Sequence, residues 1–452
     1  MYKRLNSLRM EGATGADSGK IVFVKNGKMI EPDKRGERLV LKNGHVIDPE
    51  NKVDGHIDIA IKDGFVEAVE EHIPEESGDY VLDCAGLFVF PGLIDMHLHM
   101  GDLFEVTTRP IECAVADGVT MGISPGAGNT FMAPALLGAE MDRGLPINAG
   151  VLIGAANVLG ASLSVEELIR LFKGELEEET AAFKLSRNSV TNATAPLVVG
   201  IKDHMGHFIM SDENLEKIFQ ITHKANLLYM SHTQDSEHAK RLYSLSANRP
   251  FHLGHATAAG AGSHGDALQS MRDIIALCEG KNVTAEFVTT MLRKGLGSRE
   301  GLQMKERARQ EALEALHAGI VKILVSDGQN QSTMKGFGDT RDNIPAILEL
   351  AKEHVLTLPQ AVAAMTCNPM HLLSERTKNK FWEQEYGHLG VGARGNVTVV
   401  DANDKLATYT IVNGRIAAFE NRTVRSGSSA GRYVCKFGTI YNMGVGDLSM
   451  RA

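Results

Sequence analysis

The feature that most constrains this chain is an alternation running through its middle. Eight short apolar runs, FVFPGLID, VTMGIS, INAGVLIG, PLVVGIK, NLLYMSH, FHLGH, VTAEF and VKILVSD, are separated by stretches that include several with helical signatures. In one such stretch Asp212 is placed to cap a helix carrying Leu215, Ile218 and Phe219 on one face. A second begins at Asp266 and stops at Gly280, and a third, KERARQEALEALHAG, closes on Gly319. Strands alternating with helices build a parallel sheet, and a count of eight favours closure into a (β/α)8 barrel.

Both ends of the chain have another texture. IVFVKNGKMI, RLVLKNGHVI and HIDIAIKDGFVEAV near the N-terminus, and NVTVVDANDKLATYTIVNGRIAAF near the C-terminus, are β-like runs broken by Asn-Gly and Asp-Gly. Those dipeptides between apolar stretches are hairpin signals. The expected organisation is a small discontinuous β-sandwich from residues 1–88 and 388–452, flanking a barrel over 89–387.

Ligand-type side chains collect at the C-terminal ends of the apolar runs. His97 and His99 close the first, Lys202 the fourth, His232 the fifth, His255 the sixth and Asp327 the eighth. In a barrel those ends form the face that carries chemistry. Residues two apart on a strand share a face, so Asp95, His97 and His99 point the same way. Singly, such residues suit turns, cores and solvated surfaces; histidines and a carboxylate converging on one face are what a divalent cation requires.

The string FVFPGLIDMHLH closely resembles the Pro-Gly-Leu-Ile-Asp-x-His-x-His signature of the amidohydrolase superfamily. The resemblance continues through His232, His255, the VSDG around Asp327 and the tail GARGNVTVVDA to TIVNGRIA. It implies the split β-domain and metal ligation by His97 and His99. Binuclear members carry a carboxylated lysine at the end of the fourth strand, which PLVVGIK gives as Lys202; Lys184, in AAFKLS, is the rival. Desolvation and nearby cations favour the neutral amine that can add carbon dioxide. On that scheme one cation takes His97, His99, the Lys202 carbamate and Asp327, and the other takes the carbamate, His232 and His255. The metals are expected to be zinc, with manganese, iron or cobalt as alternatives. Asp327 would carry the proton from the attacking hydroxide to the leaving nitrogen, and Asp95 is either a support for the ligands or a buried structural partner. The implied activity is hydrolysis of a cyclic amide, N-acyl amino acid or isopeptide C–N bond. A mononuclear deaminase and a silent scaffold are the alternatives; Lys202 weighs against the first and the filled ligand positions against the second.

Other polar residues are read more plainly. Asp203, His204 and His207 line a pocket or a polar loop, and His264 sits in a glycine-rich loop. Gln329 and Asn330 suit a turn or a substrate contact, while Arg109, Arg299 and Arg341 suit a solvated surface or a substrate carboxylate. Gly260, Gly262 and Gly265, followed by Glu286, have the spacing of a dinucleotide fingerprint. The strand before them is short and holds two histidines, so a loop at the active site is the better reading.

Composition adds exclusions. Lys+Arg 47 against Asp+Glu 56 gives a net charge of -9, which argues against a nucleic-acid partner. No apolar run has the length of a membrane span and no secretory pattern opens the chain. Five scattered cysteines without a CxxC pair suit reduced thiols, so a cytoplasmic enzyme acting on a small molecule is expected. A homo-oligomer is implied only by the resemblance.

Overall fold

The computed structural model describes residues 38–100, 110–126, 129–204, 209–280, 282–297, 302–328, 336–424 and 430–440, with two short strands, Phe23–Lys25 and Lys28–Ile30, before them. Eight strands form the barrel wall: β1 (Leu93–Asp95), β2 (Val119–Ser124), β3 (Asn148–Gly154), β4 (Gly200–Asp203), β5 (Leu228–His232), β6 (Phe251–Gly254), β7 (Val283–Val288) and β8 (Ile323–Val325). They pair in chain order and in parallel throughout. All seven residues of β3 and all six of β2 are buried. Both faces of a strand are covered in a closed parallel wall, which is why these runs are continuously apolar rather than alternating.

Closure between β8 and β1 is made past the strand ends. Leu98 bridges Gly328, and the His99 N–H donates to Gly328 O at 3.1 Å. Asp95 reinforces the seam by accepting from the Ser326 hydroxyl and, at 3.2 Å, from the Ser326 N–H.

The run FVFPGLID, expected as one strand, is two. Phe88–Pro91 lies antiparallel to Val397–Asp401 in a separate sheet, and only Leu93–Asp95 belongs to the barrel. The change of sheet occurs at Gly92, where a Cβ would fall 2.3 Å from Thr120 Oγ1. Strands from both ends of the chain therefore share one seven-stranded sheet. A four-stranded sheet of Phe65–Glu70, Asp58–Lys62, Leu39–Lys42 and Tyr80–Asp83 packs against it over Leu41, Ile59, Val89, Val399 and Ile411.

The turn signals divide by context. Asp63-Gly64 and Asn413-Gly414 make hairpins, with positive φ at both central residues. Asn43-Gly44 does not: Leu39–Lys42 belongs to the four-stranded sheet and His45–Asp48 to the seven-stranded one. A Cβ on Gly44 would lie 2.5 Å from Val89 Cγ2, so the glycine lets the chain cross closely between the sheets. Helix Asp212–Ala225 is capped by Ser211 rather than Asp212, through a hydroxyl that accepts from Asn214 N–H. Strand Tyr433–Cys435, near the C-terminal end of the described residues, returns to pair beside β3. No helix among the described residues is long and apolar enough to cross a membrane.

Candidate metal centre

The parallel wall brings the strand-end side chains to one place. His97 and His99 follow β1, Lys202 lies in β4, His232 ends β5, His255 follows β6 and Asp327 follows β8. The ligand atoms of His97, His99 and Asp327 all lie within 4.8 Å of one another, and all three residues are buried. Asp327 Oδ1 is 3.2 Å from Nε2 of both His97 and His99. Lys202 Nζ stands 2.7 Å from His97 Nε2. The His255 ring centroid lies 4.8 Å from that of His97 and 4.4 Å from that of His232.

Two of these residues have left-handed backbones, His255 at φ +40° and Asp327 at φ +49°. Such a conformation is uncommon for a side chain other than glycine and persists where surrounding contacts enforce it. The Asp327 side chain is itself held, its Oδ2 accepting from the Phe337 N–H at 2.8 Å.

Burial, aided by the positive charge of Lys202, holds His232 down to about 3 and lowers His97. Burial and the neighbouring histidines also push His255 well below its ordinary value. These imidazoles are neutral at pH 7, the form that offers a lone pair to a cation. Burial would raise Asp327, but His97, His99 and Lys202 around it prevail and keep its carboxyl low. The donor set therefore suits a divalent cation. His255 Nδ1 adds to the fit, being buried without a hydrogen-bond partner, a state that is costly unless something else uses the lone pair.

Lys184 is elsewhere: it ends the helix Glu178–Lys184, is exposed, and pairs with Glu167 Oε1 at 2.5 Å. Asp95 takes the structural part, holding Ser326 and the His97 N–H, and burial raises it to about 7. Asp203 turns away from the pocket. It accepts from Tyr229 Oη at 2.7 Å, Ser231 Oγ at 2.9 Å and the His232 N–H at 3.3 Å, tying β4 to β5 behind the site. His204 is buried beside Lys202, where the two line a small void with Asn157 and Met210. His264 is exposed, and Arg341 is held by Asp339 at 2.8 Å. His207, Gln329, Asn330, Arg109 and Arg299 lie outside the described residues.

The glycine string forms no phosphate cradle. Gly260 lies in a 3-10 turn directly after His255, and a Cβ there would fall 2.5 Å from Met304 Cε. Glu286, its supposed acidic partner, turns into the barrel instead, reaching His97 Nδ1, the His255 N–H at 2.9 Å and His252 Nε2 at 3.1 Å. Burial opposes its charge, but His97 and His252 more than compensate and keep it below the usual carboxylate range. Sequence reasoning missed this role; the available signal was a carboxylate inside the seventh apolar run.

The model of the Amidohydrolase family matches residues 88–425. A dihydroorotase of Geobacter metallireducens is 22% identical over 422 residues, covering 81% of this chain and 89% of the relative. Among solved structures, a D-hydantoinase superposes with a TM-score of 0.66 at 16% identity, over 89% of this chain and 100% of that one. A dihydropyrimidinase from Brevibacillus agri NCHU1002 gives a TM-score of 0.63, also at 16% identity, over 88% and 98%.

Proposed function

Because the chain belongs to the amidohydrolase family, whose members generally hold a binuclear metal centre, we propose that it hydrolyses a cyclic amide C–N bond. His97, His99, Lys202, His232, His255 and Asp327 would hold two divalent cations, with zinc the best match to imidazole and oxygen donors. The observation that carries this reading is the buried group of His97, His99 and Asp327 with Lys202 Nζ 2.7 Å from His97. When bound, such cations make a water acidic enough to attack at neutral pH and polarise the scissile carbonyl.

The remaining work falls to the chain itself. Lys202 would bridge the two halves of the centre as a carbamate, formed when its neutral amine adds carbon dioxide and releases a proton. Asp327 takes the proton of the attacking water and returns it to the leaving nitrogen. Burial of His97, His99 and His255 limits the water and protons that can compete for their ligand atoms. In ring opening the released nitrogen stays tethered to the new carboxylic acid, and the proton it receives is the one Asp327 took from the water.

The relatives named as dihydroorotase and dihydropyrimidinase support a cyclic substrate. The test is turnover of dihydroorotate, a dihydropyrimidine and a hydantoin, beside adenine as the deaminase control. Opening of one of the three rings is expected. Ammonia release from adenine, with all three rings untouched, would overturn the reading.

A further inference from the structure

Glu286 reaches residues of both halves of the proposed centre. Its Oε1 meets His97 Nδ1 and also accepts the His255 N–H at 2.9 Å, while Oε2 meets His252 Nε2 at 3.1 Å. His252 Nδ1 is in turn 2.8 Å from Thr284 Oγ1. Glu286, His97 and His252 are each fully buried.

With Glu286 ionised and both imidazoles neutral, the form a cation ligand requires, this chain of contacts has one consistent assignment of protons. Thr284 donates its hydroxyl to His252 Nδ1, which places the His252 proton on Nε2, facing Glu286. His97 carries its proton on Nδ1, also facing Glu286, which leaves Nε2 as the lone pair directed at Asp327 and Lys202. The same oxygen that fixes the His97 tautomer anchors the His255 backbone in its left-handed conformation. A carboxylate behind a ligating imidazole fixes the ring and raises its basicity, and its loss typically lowers metal affinity about 10–100-fold.

We propose that Glu286 is a positioning residue that couples the two cation sites, orienting His97 of one and His255 of the other. The proposal rests on the binuclear reading above. It assigns to one side chain a loss that a single-ligand support would confine to one cation.

The experiment is a competition titration of the zinc-loaded protein against a chromophoric chelator. Wild type is compared with Glu286→Gln and with His252→Gln, and the thermal midpoint of each metal-stripped protein is measured alongside. Glu286→Gln should weaken both cations together, by about 10–100-fold. His252→Gln, which leaves the contacts to His97 and His255 in place, should hold both cations nearly as wild type does. If Glu286→Gln does not accumulate folded, Glu286→Asp serves in its place, with the same joint weakening expected. Unchanged affinity in the folded variant, with only a lowered midpoint of the stripped protein, would reduce Glu286 to a structural role. Loss confined to one cation would overturn the coupling. A wild type that binds no metal would instead remove the binuclear reading itself.

Discussion

A single methyl group at Gly200 should dismantle the centre from a distance. Gly200 opens β4 and pairs with Leu228 of β5, two residues before Lys202 pairs with Met230. A Cβ at Gly200 would lie 2.1 Å from Leu228 O and 2.8 Å from Leu228 Cβ, whereas real Cβ contacts essentially never fall under 3.0 Å. Both obstacles lie on the neighbouring strand, one a backbone carbonyl and the other a Cβ, so no rotamer relieves the clash and β4 must move from β5 by about 0.9 Å. The adjoining bond from Leu228 N–H to Val199 O is already 3.2 Å and would not survive that shift. Overpacking of this kind costs roughly 1–3 kcal/mol, and each lost hydrogen bond about 1 kcal/mol more. Gly200→Ala should therefore lose about 3 kcal/mol and several degrees of thermal midpoint. Displacement of Lys202 relative to His232 by nearly 1 Å should also reduce turnover by about 100-fold. The control is Gly55→Ala, where nothing lies within 4 Å of the added Cβ. Thermal unfolding and metals per chain, measured on both variants, decide it. A Gly200→Ala protein that melts and binds metal as Gly55→Ala does would show that β4 tolerates the added methyl.

Three further outcomes are expected. Asp327→Asn should fold normally by circular dichroism and lose about 10²–10⁴-fold in turnover, and near-wild-type turnover would remove Asp327 from proton transfer. Lys202→Ala should lose bound metal while Lys184→Ala keeps it, and the reverse pattern in elemental analysis would move the bridge to Lys184. Asp117, which accepts from Thr340 Oγ1 at 2.6 Å and Asn421 Nδ2 at 3.0 Å, is raised by burial to about 6. A raised carboxylate favours folding while protonated, so its contribution is whole below about pH 4 and lost as pH rises through 6. That loss is roughly 3 kcal/mol. The stability of Asp117→Asn relative to wild type should improve by about that amount from pH 4 to 7; a flat difference in thermal midpoints across that range would contradict it.

The barrel and its chemistry-bearing face were legible because they rest on local signals. Apolar runs with a polar residue at the end define both the strands and the end at which side chains gather, and FVFPGLIDMHLH concentrates three such signals in one string. What escaped depended on contacts distant in sequence. Gly92 reads as part of a continuous strand until Thr120 is known to lie against it. Asn43-Gly44 has the composition of a hairpin turn, and only the pairing of its flanking strands to different sheets shows otherwise. Glu286 reads as an acidic residue spaced from glycines, because nothing local reveals that β7 aims it at a histidine 189 positions earlier. Adjacency to Lys202 leaves Asp203 between pocket and loop, and only the contacts with Tyr229 and Ser231 show that it faces the opposite way from its neighbour on the strand.

In the proposed mechanism two cations sit on these residues with a carboxylated lysine between them. Bound metal per chain, measured on protein purified without chelator and paired with intact mass before and after mild acid, is the sharpest check. Two metals and an acid-labile mass the size of carbon dioxide, absent in Lys202→Ala, are expected. One metal without that mass, or no metal even after reconstitution, would rule the binuclear centre out.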